Sequence, residues 1–114
     1  MADTLEVAYN NIIFSSIHAD RLIIDGVAGE TYTVLAIQMC HTGASEVPQV
    51  SIFTTAAGGS GTRRHIFKNV TMPPKSSFEH KDKIIIEGTD ELYIVSETGD
   101  GDIDSVVTYL KQTS

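Results

Sequence analysis

Between Ile66 and Leu110 the chain is an almost unbroken succession of β-strand phrases, and this limits its possible folds more than any other feature. Four short apolar runs, Ile66–Val70, Lys83–Glu87, Leu92–Ser96 and Ile103–Leu110, are separated by Pro73-Pro74, by Gly88-Thr89-Asp90 and by Gly99-Asp100-Gly101-Asp102. Strands of that length, with turn residues at that spacing, are the pattern of all-β sandwiches and barrels.

The upstream half continues the theme. Leu5, Val7 and Tyr9 alternate with Thr4, Glu6 and Ala8, which predicts a first strand or an arm that adds to a neighbouring sheet, ended by Asn10-Asn11. Ile12–Ile17 and Arg21–Val27 are further strand candidates joined through His18-Ala19-Asp20. Thr31–Cys40 is the longest candidate and carries apolar side chains on both faces, so a central strand is expected. Val50–Thr55 follows the polar loop Thr42–Pro48, and the small residues Ala56–Gly61 predict a hairpin tip. Division of the chain into a strand or arm over residues 1–10 and a single β domain over 11–114 follows. The fold class is all-β: an antiparallel β-sandwich or small jelly-roll-like barrel of about eight strands. Val34, Leu35, Ile37, Ile52, Phe67, Ile85, Ile94, Val107 and Leu110 are the expected core.

Composition supports β and narrows function. With 41% apolar residues, 7% aromatic and no Trp, the core must come mainly from Ile, Val and Leu, which suit pleated sheet. Eight Lys and Arg against fifteen Asp and Glu leave a net charge of -7, so the chain repels polyanions and nucleic acid is not an expected partner. The single cysteine, Cys40, lies in an apolar run and is expected to be buried as a small hydrophobe. Neither a secretory leader nor a run of ~18 apolar residues is seen, so synthesis in a cytoplasm and no membrane contact are expected.

No motif in the sequence assembles a reaction centre. Gly58–Arg64 has glycines and arginines, but lacks the Lys-Ser/Thr ending and strand-to-helix setting of a phosphate loop. The carboxylates of Asp100–Asp104 leave calcium open, although a solvated turn explains them as well. His18, His41, His65 and His80 lack metal-ligand spacing, and Cys40 and His41 should point to opposite sides of a strand. Glu79, His80 and Asp82 read as a charged hairpin, since no Gly-x-Ser-x-Gly elbow accompanies Ser76 or Ser77. The reading is non-enzymatic, with no cofactor and no metal. Candidate partner contacts are Leu5, Val7 and Tyr9 at the N-terminus, together with Arg63, Arg64 and Lys68, the densest basic cluster in an acidic chain.

The phrases from Ile66 to Leu110, with Asp25-Gly26-Val27-Ala28-Gly29-Glu30-Thr31-Tyr32-Thr33-Val34 upstream, resemble small β-sandwich virion structural proteins of tailed bacteriophages over roughly Leu22 to Lys111. Gly43–Pro48 and Gly58–Gly61 are more elaborate than that group's simple turns. The resemblance implies a capsid decoration or cement protein, or else a tail, neck or baseplate ring component. An acidic surface is compatible with the outside of a shell, which favours decoration. The implied partners are further copies of the chain, as a trimer or higher ring, and a major capsid or tail protein; the implied location is the virion. A carbohydrate-binding host-attachment module is the third class, though without Trp it lacks the usual stacking platform.

Overall fold

The computed structural model describes residues 2–14, 20–44, 47–56, 62–98 and 100–113, and among these there are nine strands and no helix. They are β1 (Ala2–Phe14), β2 (Arg21–Asp25), β3 (Glu30–His41), β4 (Gln49–Thr55), β5 (Arg64–Thr71), β6 (Ser77–His80), β7 (Ile84–Glu87), β8 (Glu91–Thr98) and β9 (Gly101–Thr113). One sheet has the order β1-β9-β3-β6, with β7 also on β3, and the other has the order β2-β8-β4-β5. All pairings are antiparallel.

The strand order follows from nested pairing. β4 pairs with β5, β3 with β6 and β7, β2 with β8, and β1 with β9, so the chain is one long hairpin whose successive rungs alternate between two sheets. Two further pairings, β3 with β9 and β4 with β8, close each sheet. Eight strand positions arranged this way in two packed sheets form a jelly roll, with β6 and β7 sharing one position.

The core lies between the sheets. Ile12, Tyr32, Val34, Ile37, Met39, Ile86, Ile103 and Val107 from the first sheet meet Ile24, Val50, Ile52, Leu92 and Ile94 from the second, with Met72 closing one end. In β3 the ladder to β9 slips between Val34 and Ala36, so Leu35 is an extra residue. That bulge resets the alternation, and Val34 and Ile37, three apart in sequence, both face inward.

Several sequence expectations are corrected. Asn10 and Asn11 do not end the first strand; β1 runs in unbroken register with β9 from Ala2↔Thr113 to Phe14↔Gly101. Asn11 is held there because its amide donates to the carboxylates of Asp102 at 2.9 Å and Asp104 at 2.5 Å. Phe78–Ile84 is not a hairpin: β6 and β7 both pair with β3, as one edge strand interrupted at residues 81–83. Ile85 and Leu110 face away from the core, since the inward positions of their strands belong to Ile84, Ile86, Val107 and Tyr109. The expected strand beyond Phe14 and, of the expected tip at Ala56–Gly61, residues 57–61 lie outside the described residues.

Candidate assembly surface

The outer face of the β1-β9-β3 sheet is read directly from its register. Leu5 stands opposite Leu110, which stands opposite Thr33, which stands opposite Ile85. The next rows are Val7, Thr108 and Ala36, then Tyr9, Val106 and Gln38. Alternation puts all these on one side of the sheet. Leu5 is 64% exposed, Val7 41%, Tyr9 76% and Ile85 59%. An apolar surface therefore crosses all four strand positions without a covering layer among the described residues. The inner side of β1 behaves oppositely: Ile12 is buried and Ala8 packs against the core.

Edges matter as much as faces, because an edge strand offers unpaired N–H and C=O groups to any passing chain. Three of the four edges carry protection. β6 and β7 are broken by the charged residues 81–83. β5 has two register slips against β4, and at Asn69 the backbone turns to φ 56, with its N–H donating to Ser51 Oγ at 2.9 Å. β2 has five residues and slips between Leu22 and Ile24. β1 has none of these devices: thirteen residues, continuous register, no Pro and no basic residue.

The basic candidates lie on the other sheet. Arg63 sits 4.3 Å above the Phe53 ring and pairs with Asp20 at 2.7 Å. Phe53 also stacks on Tyr93 and touches His65, so Arg63 helps to close the outer side of that sheet. Arg64 reaches Asp90 at 3.4 Å, and Lys68 is exposed on edge strand β5. Leu5, Val7 and Tyr9 thus share one surface, whereas Arg63, Arg64 and Lys68 lie away from it, at and just before β5 of the other sheet.

An open recess of about 370 Å³ adjoins the apolar rows, lined by Gln38, Met39, Cys40, Ser77, Phe78, Glu79, Asp104 and Val106. Cys40 is exposed there, contrary to the expectation of a buried thiol, because β3 turns it outward and His41 inward. Gln38, which donates to Glu79 at 2.7 Å, and then Lys81, at 3.0 Å, hold the Glu79 carboxyl below the usual range. His41 and His80 occupy the opposite side of the sheet, so neither stands beside the thiol as a base. Asp102 and Asp104 belong to β9 instead of a loop, and among the described residues no three potential ligands converge on a metal position.

Compared with known proteins, the sequence matches no family profile and no curated protein. The fold has solved neighbours. A chain from the endospore appendages of Bacillus, described as disulfide-linked pili, superposes with a TM-score of 0.58 at 13% identity, over 97% of this chain and 88% of that one. A chain of infectious bursal disease virus, Gx strain, gives a TM-score of 0.57 at 10% identity, over 100% of this chain and 34% of that one. At such identities the likeness establishes a shared fold. These two neighbours are a pilus protein and a virus protein.

Sequence reasoning found the exposed side of β1 through its alternation. It missed Ile85 and Leu110 as part of that surface, because a run such as Ile84-Ile85-Ile86 has no period that tells its faces apart.

Proposed function

We propose that this chain is a non-enzymatic structural subunit that works by joining protein assemblies, and specifically that it belongs to a phage virion as a capsid decoration or cement protein. The observation that carries the reading is β1, a long edge strand without protection whose flank is apolar and exposed. Such an edge on a free monomer invites uncontrolled pairing, so its persistence fits a subunit that spends its working life with the edge covered. The neighbours from a pilus and a virus support this as examples of the same fold in assembled particles. The net charge of -7 fits a position outside a shell, away from packaged DNA. Arg63, Arg64 and Lys68, on the other sheet, would then meet an acidic patch of the shell protein.

Quantitative mass spectrometry of gradient-purified phage particles tests this. Copies in proportion to the major shell subunit are expected. A count of about six or twelve per particle, matching cyclic symmetry, moves the chain to a tail or neck ring. Absence from particles overturns the virion reading.

A further inference from the structure

We infer that β1 pairs with β1 of a second copy, antiparallel and about a two-fold axis at Val7, to make one continuous sheet of eight strand positions. Among the described residues this is the one edge left without a charged break, a bulge or a short span. What selects a second copy as its occupant is the order of side chains along the strand. Reversed on itself about Val7, β1 places Leu5 opposite Tyr9, Glu6 opposite Ala8, Thr4 opposite Asn10 and Asp3 opposite Asn11. On the outer face Leu5 then meets Tyr9 and Val7 meets Val7, on the inner face Ile12 falls opposite Ala2, and no carboxylate faces another carboxylate directly. Neighbouring registers lose this match. Centring on Glu6 sets the two Glu6 side chains face to face, and centring on Ala8 sets Leu5 against Asn11; both arrangements are unfavourable cross-strand pairs.

The outer surface responds to the same pairing. An axis perpendicular to the sheet keeps Leu5, Val7 and Tyr9 of both copies on one side, so their apolar flanks cover each other across the ~4.8 Å strand spacing. Val106 and Leu110 of both copies extend the strip on either side of the axis. A contact in which the same patch serves both partners is isologous and closes on itself, which stops the edge from templating a fibre. Larger rings would then be built from pairs. This inference rests on the assembly reading for its biological setting, but its test needs only the purified chain, so each can fail alone.

The test is oxidative cross-linking of full-length protein in a Cys40→Ser background. On the axis the two Val7 Cα atoms are ~4.5–5.5 Å apart, within disulfide range. Val7→Cys should therefore cross-link nearly completely. Leu5→Cys and Tyr9→Cys should each stay largely monomeric alone and should cross-link when mixed, because Leu5 of one copy faces Tyr9 of the other. Sedimentation should show a dimer for the parent chain, and Val7→Glu should raise its dissociation constant at least about tenfold through like charges on the axis. A parent chain that stays monomeric at all concentrations overturns the inference. So does cross-linking of Leu5→Cys to itself as fast as Val7→Cys, which would mean a different register. Particle association without specific cross-linking would reject the pair and leave the virion reading standing.

Discussion

Tyr32 is where the end of the sandwich is tied together. Its hydroxyl donates to Glu30 Oε1 at 2.5 Å and accepts the Val27 N–H at 3.1 Å, while Lys111 bridges Glu30 at 3.7 Å and Glu6 at 4.0 Å. Burial, and then the bond to Glu30, push the Tyr32 hydroxyl up from 10.0 to about 12. The folded state thus holds that proton more tightly than the unfolded chain does. Its contribution to stability is complete below about pH 10 and disappears as pH rises towards 12. Tyr32→Phe should lower stability near pH 8 by about 1–2 kcal/mol through the lost hydrogen bonds, and should flatten the decline between about pH 10 and 12. Urea midpoints at several alkaline pH values check both; the same alkaline slope in parent and variant would show that Tyr32 is not its source. Tyr93 and Tyr109 are also raised by burial, so part of the slope should survive. Gly26 is a second fixed point nearby. A Cβ there would lie 2.2 Å from the carbonyl oxygens of Asp90 and Gly88, both backbone atoms that cannot swing aside. Gly26→Ala should cost about 3 kcal/mol, read as a fall in the denaturant midpoint with unchanged m-value.

Strands were legible where composition and turns agreed. Val50–Thr55, Leu92–Ser96 and Ile103–Leu110 all lie inside observed strands, and Pro73-Pro74, Gly88 and Gly29 all mark turns. Gly29 shows why: at φ 85 it occupies the second central position of the turn closed by Glu30 N–H to the Val27 carbonyl at 3.0 Å. What could not be read was phase. The bulge at Leu35 changes which side of β3 faces inward, and it arises from pairing with β9, some seventy residues away along the chain. Asn10 and Asn11 misled for a related reason, since the carboxylates that hold Asn11 in a strand come from the other end of the sequence. The triplet Ile84-Ile85-Ile86 turns this lesson into a measurement. Ile86 is buried against the core and Ile85 is exposed on the outer face. Ile86→Ala should cost about 3 kcal/mol, whereas Ile85→Ala should stay within about 0.5 kcal/mol. Equal losses in thermal or urea unfolding would mean that β7 is one residue out of register, or that Ile85 is covered in solution by another molecule.

The nested hairpin brings the two ends of the chain into one strand pair, Ala2 beside Thr113, and leaves β1 as the outer margin of the finished sheet. Strand pairing between such distant parts of a chain makes folding slow overall. Charge decides what can approach that margin. Every copy carries -7, so two copies repel at long range even where their apolar strands fit. The proposed attachment of Arg63, Arg64 and Lys68 to an acidic shell surface would have the opposite character, being attractive at long range. Salt separates the two. At about 20 mM ionic strength the screening length is ~20 Å, and at about 500 mM it is near 4 Å, shorter than the reach of either field. Raising salt across that range should tighten self-association, lowering the dimer dissociation constant several-fold in sedimentation runs. The same change should weaken attachment to particles, measured by co-sedimentation, and Lys68→Glu should reduce that attachment without affecting the dimer. Lys68 is the better probe of the three basic residues, because reversing Arg63 also removes its packing on Phe53 and its pair with Asp20. If both processes moved in the same direction with salt, one surface would be serving both, and the division of labour between the two sheets would have to be abandoned.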